Sequence, residues 1–392
     1  MQPLTLIRKI LNDFHLLKGS IYKSRIRQVI EIINLILRCQ FTPDEYYTYR
    51  FFEKNKSYRD MLEYMSNYMA VSYFHPNLRD PVWAFLLSDK LSFNAFYGYY
   101  GFPVTNLLGY YHEDSSFESD SFNLKNPRDL ENMLLRKKPE TLVIKPAGGS
   151  MGRNVNVYRK VEYIGSDINF YKVDGSRETI SQVVEFARKA SGSKYTPGVI
   201  LEEKLEQHEL LSEINRTSIN TVRIVTLLDK KDHAGVYLSI LRIGRFGSGV
   251  DNASQGGIIV GLNRLSGELG QGSFYSKFNT GLLKKHPDSG IRFKGLKVPY
   301  WREIKDLCIQ AAELTPFCRT VGWDVAVTPQ GPVLVEGNSF WAMDFQAQSG
   351  GFLQPEVRKI LADYNLKFPE GSLPEINGKE LLKAFKLWFK KT

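Results

Sequence analysis

Asp324, Glu336 and Asn338 flank a short turn, Thr328-Pro329-Gln330-Gly331-Pro332, in the run GWDVAVTPQGPVLVEGN that begins at Gly322. Apolar and polar residues alternate on both sides of that turn, and Pro and Gly interrupt the ladder, so the pattern predicts a β-hairpin. Side chains alternate faces along a strand, which sets Glu336 and Asn338 on one face, with Asp324 opening the facing strand. Three oxygen-bearing side chains thereby meet at one sheet edge. Hard cations such as Mg²⁺ sit on one or two carboxylates plus substrate phosphates, so this cluster could hold a divalent cation against a phosphate. Taken alone, the stretch reads as well as a hairpin carrying solvated acids.

A second cluster could hold the phosphate. Lys145 closes a predicted strand, Thr141 to Lys145, and opens KPAGGSMGRNV, after which Val155 to Tyr158 returns as a second strand. Gly148, Gly149 and Gly152 let backbone N–H groups close on an anion, with Ser150 adding a hydroxyl and Lys145 a point charge. No Lys-Ser/Thr pair follows the glycines, so this is not a P-loop, and a strand rather than a helix follows, so it is not a dinucleotide fingerprint. A glycine-rich surface hairpin without function is the alternative. Arg223 lies on the predicted strand Ile219 to Thr226, and a strand Gly235 to Gly244 delivers Arg242 and Arg245 into RFGSGVDNASQGG. Guanidinium forks beside Asp251, Asn252, Gly256 and Gly257 would make an oxyanion pocket. Singly, each arginine is an ordinary surface residue, as is Lys90 in the first turn of a helix read from an N-cap at Ser88 to about Tyr99.

The elements that must position these residues form an α+β pattern. Residues 1 to about 85 read as helical, with Leu4, Ile7, Leu11 and Phe14, then Ile26, Ile30, Ile33 and Leu37, at helical spacing. Tyr58, Leu62, Met65 and Met69 continue as a stripe suited to core packing. Helices are expected over Pro127 to Lys138, Thr179 to Ser191 and Trp301 to Thr315, and a further strand over Val199 to Leu205. Residues 113–128 and 267–297 read as loops. The first forty residues carry seven Lys or Arg against Asp13 and Glu31, and Lys379 to Lys391 reads as a basic amphipathic helix. Each end is either a cap on the protein's own core or a peripheral contact with anionic lipid.

Composition narrows the function classes. The 392 residues allow two or three domains, and 43% hydrophobic content supports a sizeable core. Cys39, Cys308 and Cys318 form no pair spacing, which argues against a disulfide framework or a zinc site and for a reducing compartment. No run is apolar enough to span a bilayer and no signal-peptide pattern opens the chain, so a cytoplasmic protein is expected. A net charge of +10 suits an anionic partner. Without zinc-finger spacing, an aromatic RNA-binding signature or a solenoid repeat, that partner is not read as nucleic acid.

In order, Lys90 in SDK, Lys145 in VIKPAGGSMG, the LEEKL strand, Arg223, Asn252 before a Gly pair, and Asp324…Glu336-Gly337-Asn338 resemble the ATP-grasp superfamily. The likeness is nearest to its sugar-transfer-associated branch and covers about residues 88–350. It implies two α+β lobes gripping ATP behind a helical N-terminal region. The divisions would be a helical region 1–87, a preceding segment 88–135, a small lobe 136–205, a large lobe 206–350 with the metal site, and a helical tail 351–392. Lys90 and Lys145 would match the phosphate lysines, and Gly149, Ser150, Met151 and Gly152 the mobile flap. Glu202, Glu203 and Leu205 would meet adenine, and Glu209 the ribose. Asp324, Glu336 and Asn338 would hold Mg²⁺; Arg223, Arg242 and Asn252 would serve the transferred phosphate. The chain departs from the family in lacking an αβ substrate domain at its N-terminus, and in having Ser339-Phe340-Trp341-Ala342 where a Pro-Gly pair is common. Both departures fall where acceptor recognition is expected.

The resemblance implies ATP- and Mg²⁺-dependent carboxylate–amine ligation through an acyl phosphate, on a sugar- or amino-acid-type substrate in cell-surface polysaccharide metabolism. A small-molecule kinase on the same fold, or a non-catalytic ATP-binding partner of glycan enzymes, is the alternative. None of these needs a catalytic triad, because positioning and cations carry most of phosphoryl transfer.

Overall fold

A computed structural model describes residues 19–113, 123–149, 154–165, 167–191, 197–251, 256–274 and 281–373, with positions 380, 383 and 386. Two antiparallel sheets organise it, so the α+β expectation holds. The first has seven strands in the order β2-β1-β7-β3-β4-β5-β6: β1 Leu107–Tyr111, β2 Asn123–Leu124, β3 Leu142–Pro146, β4 Asn156–Ile164, β5 Asp167–Lys172, β6 Arg177–Thr179 and β7 Val199–Glu202. One short parallel pair, β1 with β2, closes its edge. Leu142 and Ile144 on β3, Tyr158 on β4 and Leu201 on β7 point into a core shared with the helices Pro127–Lys137 and Ile180–Ser191. Strand alternation then turns Val143, Lys145 and Glu202 to the other face.

The second sheet has the order β11-β10-β9-β8-β12-β13, with β8 Val222–Leu228, β9 Ala234–Ile243, β10 Ile258–Leu262, β11 Leu269–Phe274, β12 Thr320–Thr328 and β13 Gly331–Asn338. Val222, Ile224, Leu241, Trp323 and Val325 pack on one side against the helices Pro81–Ser88, Lys90–Tyr99 and Trp301–Leu314. On the opposite side Val225, Leu227 and Leu238 pack against Phe74, Trp341, Met343 and Phe352. Arg223, between Val222 and Ile224, and Arg242, between Leu241 and Ile243, are therefore turned to this second side. The predicted hairpin is β12–β13, closed by Pro329-Gln330, with one extra residue at Val335 because Asp324 pairs with Glu336 but Val325 with Leu334. Strand β11 occupies part of the 267–297 stretch that reads as loop, since glycines at 267, 270 and 272 mask the alternation; β10, paired beside it, carries Gly261. Gly261 is required there: a Cβ would come 2.1 Å from the Gln348 carbonyl oxygen, backbone that cannot rotate away. Gly261→Ala is expected to destabilise the protein by about 1–3 kcal/mol, as overpacking does, read as a lower urea midpoint at constant slope.

The N-terminal helix Arg25–Cys39 forms, but only the second half of the expected stripe, Ile33 and Leu37, packs on the core. Ile26 is 75% exposed and Ile30 40%, while Gln28, Glu31 and Asn34 are buried beside Ile32, Ile33 and Leu35. Polar partners decide the orientation: the Glu31 carboxylate takes Lys23 Nζ at 3.0 Å, Arg27 Nε at 3.0 Å and the Tyr46 hydroxyl at 2.8 Å. A buried carboxylate so paired and hydrogen-bonded is tolerated inside. Leu4 to Phe14 lie outside the described residues, as does most of Lys379 to Lys391. Among the described residues, no helix is long and apolar enough to cross a membrane.

Candidate active site

Four adjacent strands carry a row of charges on the second side of the six-stranded sheet. Asp324 on β12 is the direct cross-strand partner of Arg223 on β8 and of Glu336 on β13. Arg242 on β9 is two residues beyond Ile240, the partner of Arg223, and so is its diagonal neighbour. The Arg223 guanidinium grips both oxygens of Asp324, Nη2 to Oδ2 at 2.7 Å. Arg242 bridges Asp324 Oδ2 at 3.0 Å and Asp251 Oδ1 at 2.9 Å. Asp251 is held in turn by the Thr221 backbone N at 2.9 Å. Like charges directly opposite one another across a ladder are costly; Asp324 and Glu336 stand so only because cations surround them.

Lys90 supplies the cation on the Glu336 side. It is the first residue of the helix Lys90–Tyr99, capped by Asp89, whose carboxylate accepts from Ser92 N; Ser88, expected as the cap, ends the preceding helix instead. Asp89 wins because a carboxylate favours the positive end of a helix. Lys90 Nζ lies 3.5 Å from Glu336 Oε2 and donates to the Gly149 carbonyl at 3.2 Å. Asn338 Nδ2 donates to Glu336 Oε1 at 3.2 Å and, longer, to the Gly322 carbonyl. Burial pushes the Glu336 carboxyl up, but Lys90, Arg223 and the hydrogen bonds outweigh it and hold it well below the usual carboxylate range. For Asp324 burial dominates and raises the carboxyl, against the pull of Arg223 and Arg242.

The seven-stranded sheet supplies the facing wall. Glu202 on β7 pairs with Val143, so Lys145, two residues along β3, is its diagonal neighbour, and Lys145 Nζ meets Glu202 Oε1 at 2.5 Å. Glu202 Oε2 is buried with no hydrogen-bond partner among the described residues. A buried carboxylate oxygen without a donor costs free energy, and a ligand N–H would satisfy it. Past β7 the chain is extended, with Glu203 bonded to Asn106 through backbone N (3.1 Å) and through its carboxylate (2.7 Å).

Between these walls lies a cavity of about 560 Å³. Its lining brings together Lys90, Lys145, Gly149, Glu202, Glu203, Leu205, Arg223, Arg242, Asp324, Glu336 and Asn338, all singled out from sequence. Ser150, Met151, Gly152 and Asn252 lie outside the described residues. Glu209 does not line the cavity: it opens the helix Glu209–Ile214, anchored by His208 N to the Val327 carbonyl, three residues along β12 from Asp324. Three strand residues span about 10 Å, which draws that helix away. The reading from spacing passed over Asp344 and Phe345, which line the cavity from the segment after β13. Their one signal was position, six and seven residues beyond Asn338.

Phe340 and Trp341, also in the lining, are backed by buried His75. His75 Nε2 lies 3.0 Å from the Trp341 carbonyl, which can only accept, so Nε2 carries the proton and Nδ1 has no hydrogen-bond partner among the described residues. Burial pushes the imidazole down to about 4, with Arg79 adding and the carbonyl opposing. A folded-state value below the unfolded one means stability is complete above about pH 6.5 and is lost as pH falls towards 4, by about 3 kcal/mol in all. Urea unfolding at pH 7.5 and pH 4 is expected to show His75→Gln losing less stability on acidification than the wild type, by about that amount.

Can the site hold a divalent cation? Two carboxylates and a carboxamide converge there, oxygen donors throughout, and with Asn338 Nδ2 engaged its oxygen is the atom left for a metal. That donor set fits Mg²⁺ with substrate phosphates completing the shell. Among the described residues, no group of three His, Cys, Asp or Glu could hold a metal by itself.

The family described as sugar-transfer associated ATP-grasp matches residues 70–362. No curated protein matches the sequence. Among solved structures, the chain is similar to the biotin carboxylase domain of Hydrogenobacter thermophilus 2-oxoglutarate carboxylase at 10% identity, covering 73% of this chain and 47% of that one, TM-score 0.38. The D-alanine–D-alanine ligase from Coxiella burnetii matches at 11% identity over 78% and 57%, TM-score 0.37. The VanG D-Ala:D-Ser ligase from Enterococcus faecalis matches at 14% identity over 79% and 64%, TM-score 0.38. The chain thus spans less than two thirds of each.

Proposed function

The chain belongs to the sugar-transfer-associated ATP-grasp family, and from that premise we propose that it is an ATP- and Mg²⁺-dependent ligase joining a carboxylate to an amine. One observation carries the reading. A single cavity sets Lys145 and an orphaned carboxylate oxygen on one wall against a row of two acids and two guanidiniums on the other, with Lys90 reaching from beside Glu336 to the Gly149 carbonyl. An adenine amine would satisfy Glu202 Oε2, and the backbone at Glu203 and Leu205 would complete its edge. Lys90 and Lys145 would exchange a carboxylate for phosphate oxygens, and Gly149 would let the flap approach them. Asp324, Glu336 and Asn338 would hold Mg²⁺, which when bound neutralises charge on the phosphates.

In this reading a substrate carboxylate oxygen attacks the γ-phosphorus and ADP departs, leaving an acyl phosphate. The amine then forms the bond to the acyl carbon and phosphate leaves; overall, carboxylate, ammonium and ATP give amide, ADP, phosphate and one proton. Arg223 and Arg242 are fixed in place by Asp324 and Asp251 before substrate arrives, so their charge costs no reorganisation as oxyanion charge develops. The sugar-linked substrate suggested by the family description and a role in polysaccharide metabolism belong to the same proposal.

Incubation with Mg²⁺-ATP, hydroxylamine and a panel of amino acids and sugar acids tests it. A ligase yields a hydroxamate and free phosphate. A stable phosphorylated product would mean a kinase, and no turnover across the panel would leave a nucleotide binder.

A further inference from the structure

We propose that Asp344 recognises the amine co-substrate, as its protonated ammonium; this rests on the ligase reading above. The nucleotide and metal assignments use the lysines, the strand after Glu202 and the charge row, and they leave one wall unused. That wall is Phe340, Trp341, Ala342, Asp344 and Phe345. It is aromatic and apolar apart from one carboxylate. A charged group set in an apolar wall orients and selects a ligand of opposite charge. The wall adjoins the reacting centre, because the Arg223 guanidinium lies over the Phe345 ring at 5.1 Å.

Asp344 is also positioned in advance. Asn67 Nδ2 donates to its Oδ1 at 3.2 Å, and the Tyr49 hydroxyl donates to the Met343 carbonyl at 3.3 Å. Fully buried Gln346 bonds both backbone groups of Met65, Oε1 to N at 3.0 Å and Nε2 to O at 2.9 Å. A carboxylate held by such a supporting shell binds with little ordering cost. Tyr49, Met65 and Asn67 all precede residue 70, where the family match begins. The helical N-terminal region is therefore the scaffold of the acceptor subsite, which accounts for its place in this chain.

The test uses the full chain with Mg²⁺-ATP, the same carboxylate panel and hydroxylamine at pH 8, where hydroxylamine is neutral. Amino acids and amino sugars are added as competing amines. In the wild type an ammonium-bearing competitor diverts the acyl phosphate and suppresses hydroxamate. Asp344→Asn is expected to raise the half-suppressing amine concentration at least tenfold, more than it changes hydroxamate formation without amine, and Asp344→Glu to restore part of that loss. Suppression at the wild-type concentration overturns the assignment. Should Asp344→Asn not fold, Asn67→Ala keeps the carboxylate and removes one of the hydrogen bonds that orient it, and is expected to shift suppression about threefold; no shift overturns the assignment equally. If the wild type forms no hydroxamate, the ligase reading fails and this inference with it, a result distinct from either.

Discussion

Glu336→Gln is expected to lower turnover by at least a hundredfold while leaving the protein folded. The substitution keeps shape and volume but removes the charge that faces Lys90 at 3.5 Å and one of two carboxylates in the proposed metal site. Mg²⁺ depends on few protein oxygens, so losing one anionic ligand weakens it severely. Charge stabilisation on a transferring phosphoryl group is commonly the largest catalytic term. Folding should survive because the Glu336 side chain is partly exposed and Lys90 keeps its hydrogen bond to the Gly149 carbonyl. Phosphate release in the hydroxylamine assay, with circular dichroism as the control, decides it. Wild-type turnover would remove Glu336 from the metal site. The depressed carboxyl carries its own corollary: Glu336 stays ionised throughout the mildly acidic range, so an acid limb in activity must come from another group.

Asp324→Ala is expected to act on stability first. Asp324 is the shared counter-ion of Arg223 and Arg242, all three with nearly buried side chains. Removing one partner of a buried pair strands the other charge, at about 3–5 kcal/mol, whereas replacing the whole group with apolar residues is often neutral. The double change Arg223→Met with Asp324→Leu should therefore recover much of the stability that Asp324→Ala loses, while both remain inactive. Urea midpoints on the two variants give the comparison. A single variant as stable as the wild type would show that water or Asp251 already compensates the arginines.

Much of this site was legible in the chain because it depends on local rules. The 322–338 hairpin follows from period-two alternation broken by Pro and Gly, and that period alone places Glu336 and Asn338 on one face. Lys145 before a glycine-rich tip and Arg223 in a β-branched run are equally local. Expectations failed where a distant partner overrides propensity. The helix Arg25–Cys39 turns Ile26 and Ile30 outward because Lys23 and Tyr46 reward burial of Glu31. Asp89 rather than Ser88 caps the next element because the chain breaks its helix there to bring Lys90 N onto the Ala147 carbonyl. Glycines hid β11, since positions 270 and 272 carry no side chain to display the alternation.

Residue type and spacing by themselves determined the chemistry: which side chains could meet a phosphate, which a cation, and that both ride on strands. Register and packing decided the rest. Only the alignment of β8 with β12 brings the β9–β8 and β12–β13 pairs together and sets two arginines against two acids in one row, because pairing between strands about a hundred residues apart has no trace in local sequence. Only the docking of an N-terminal helical layer behind Asp344 builds the remaining wall, because surfaces from opposite ends of a chain become neighbours when both bury apolar area together.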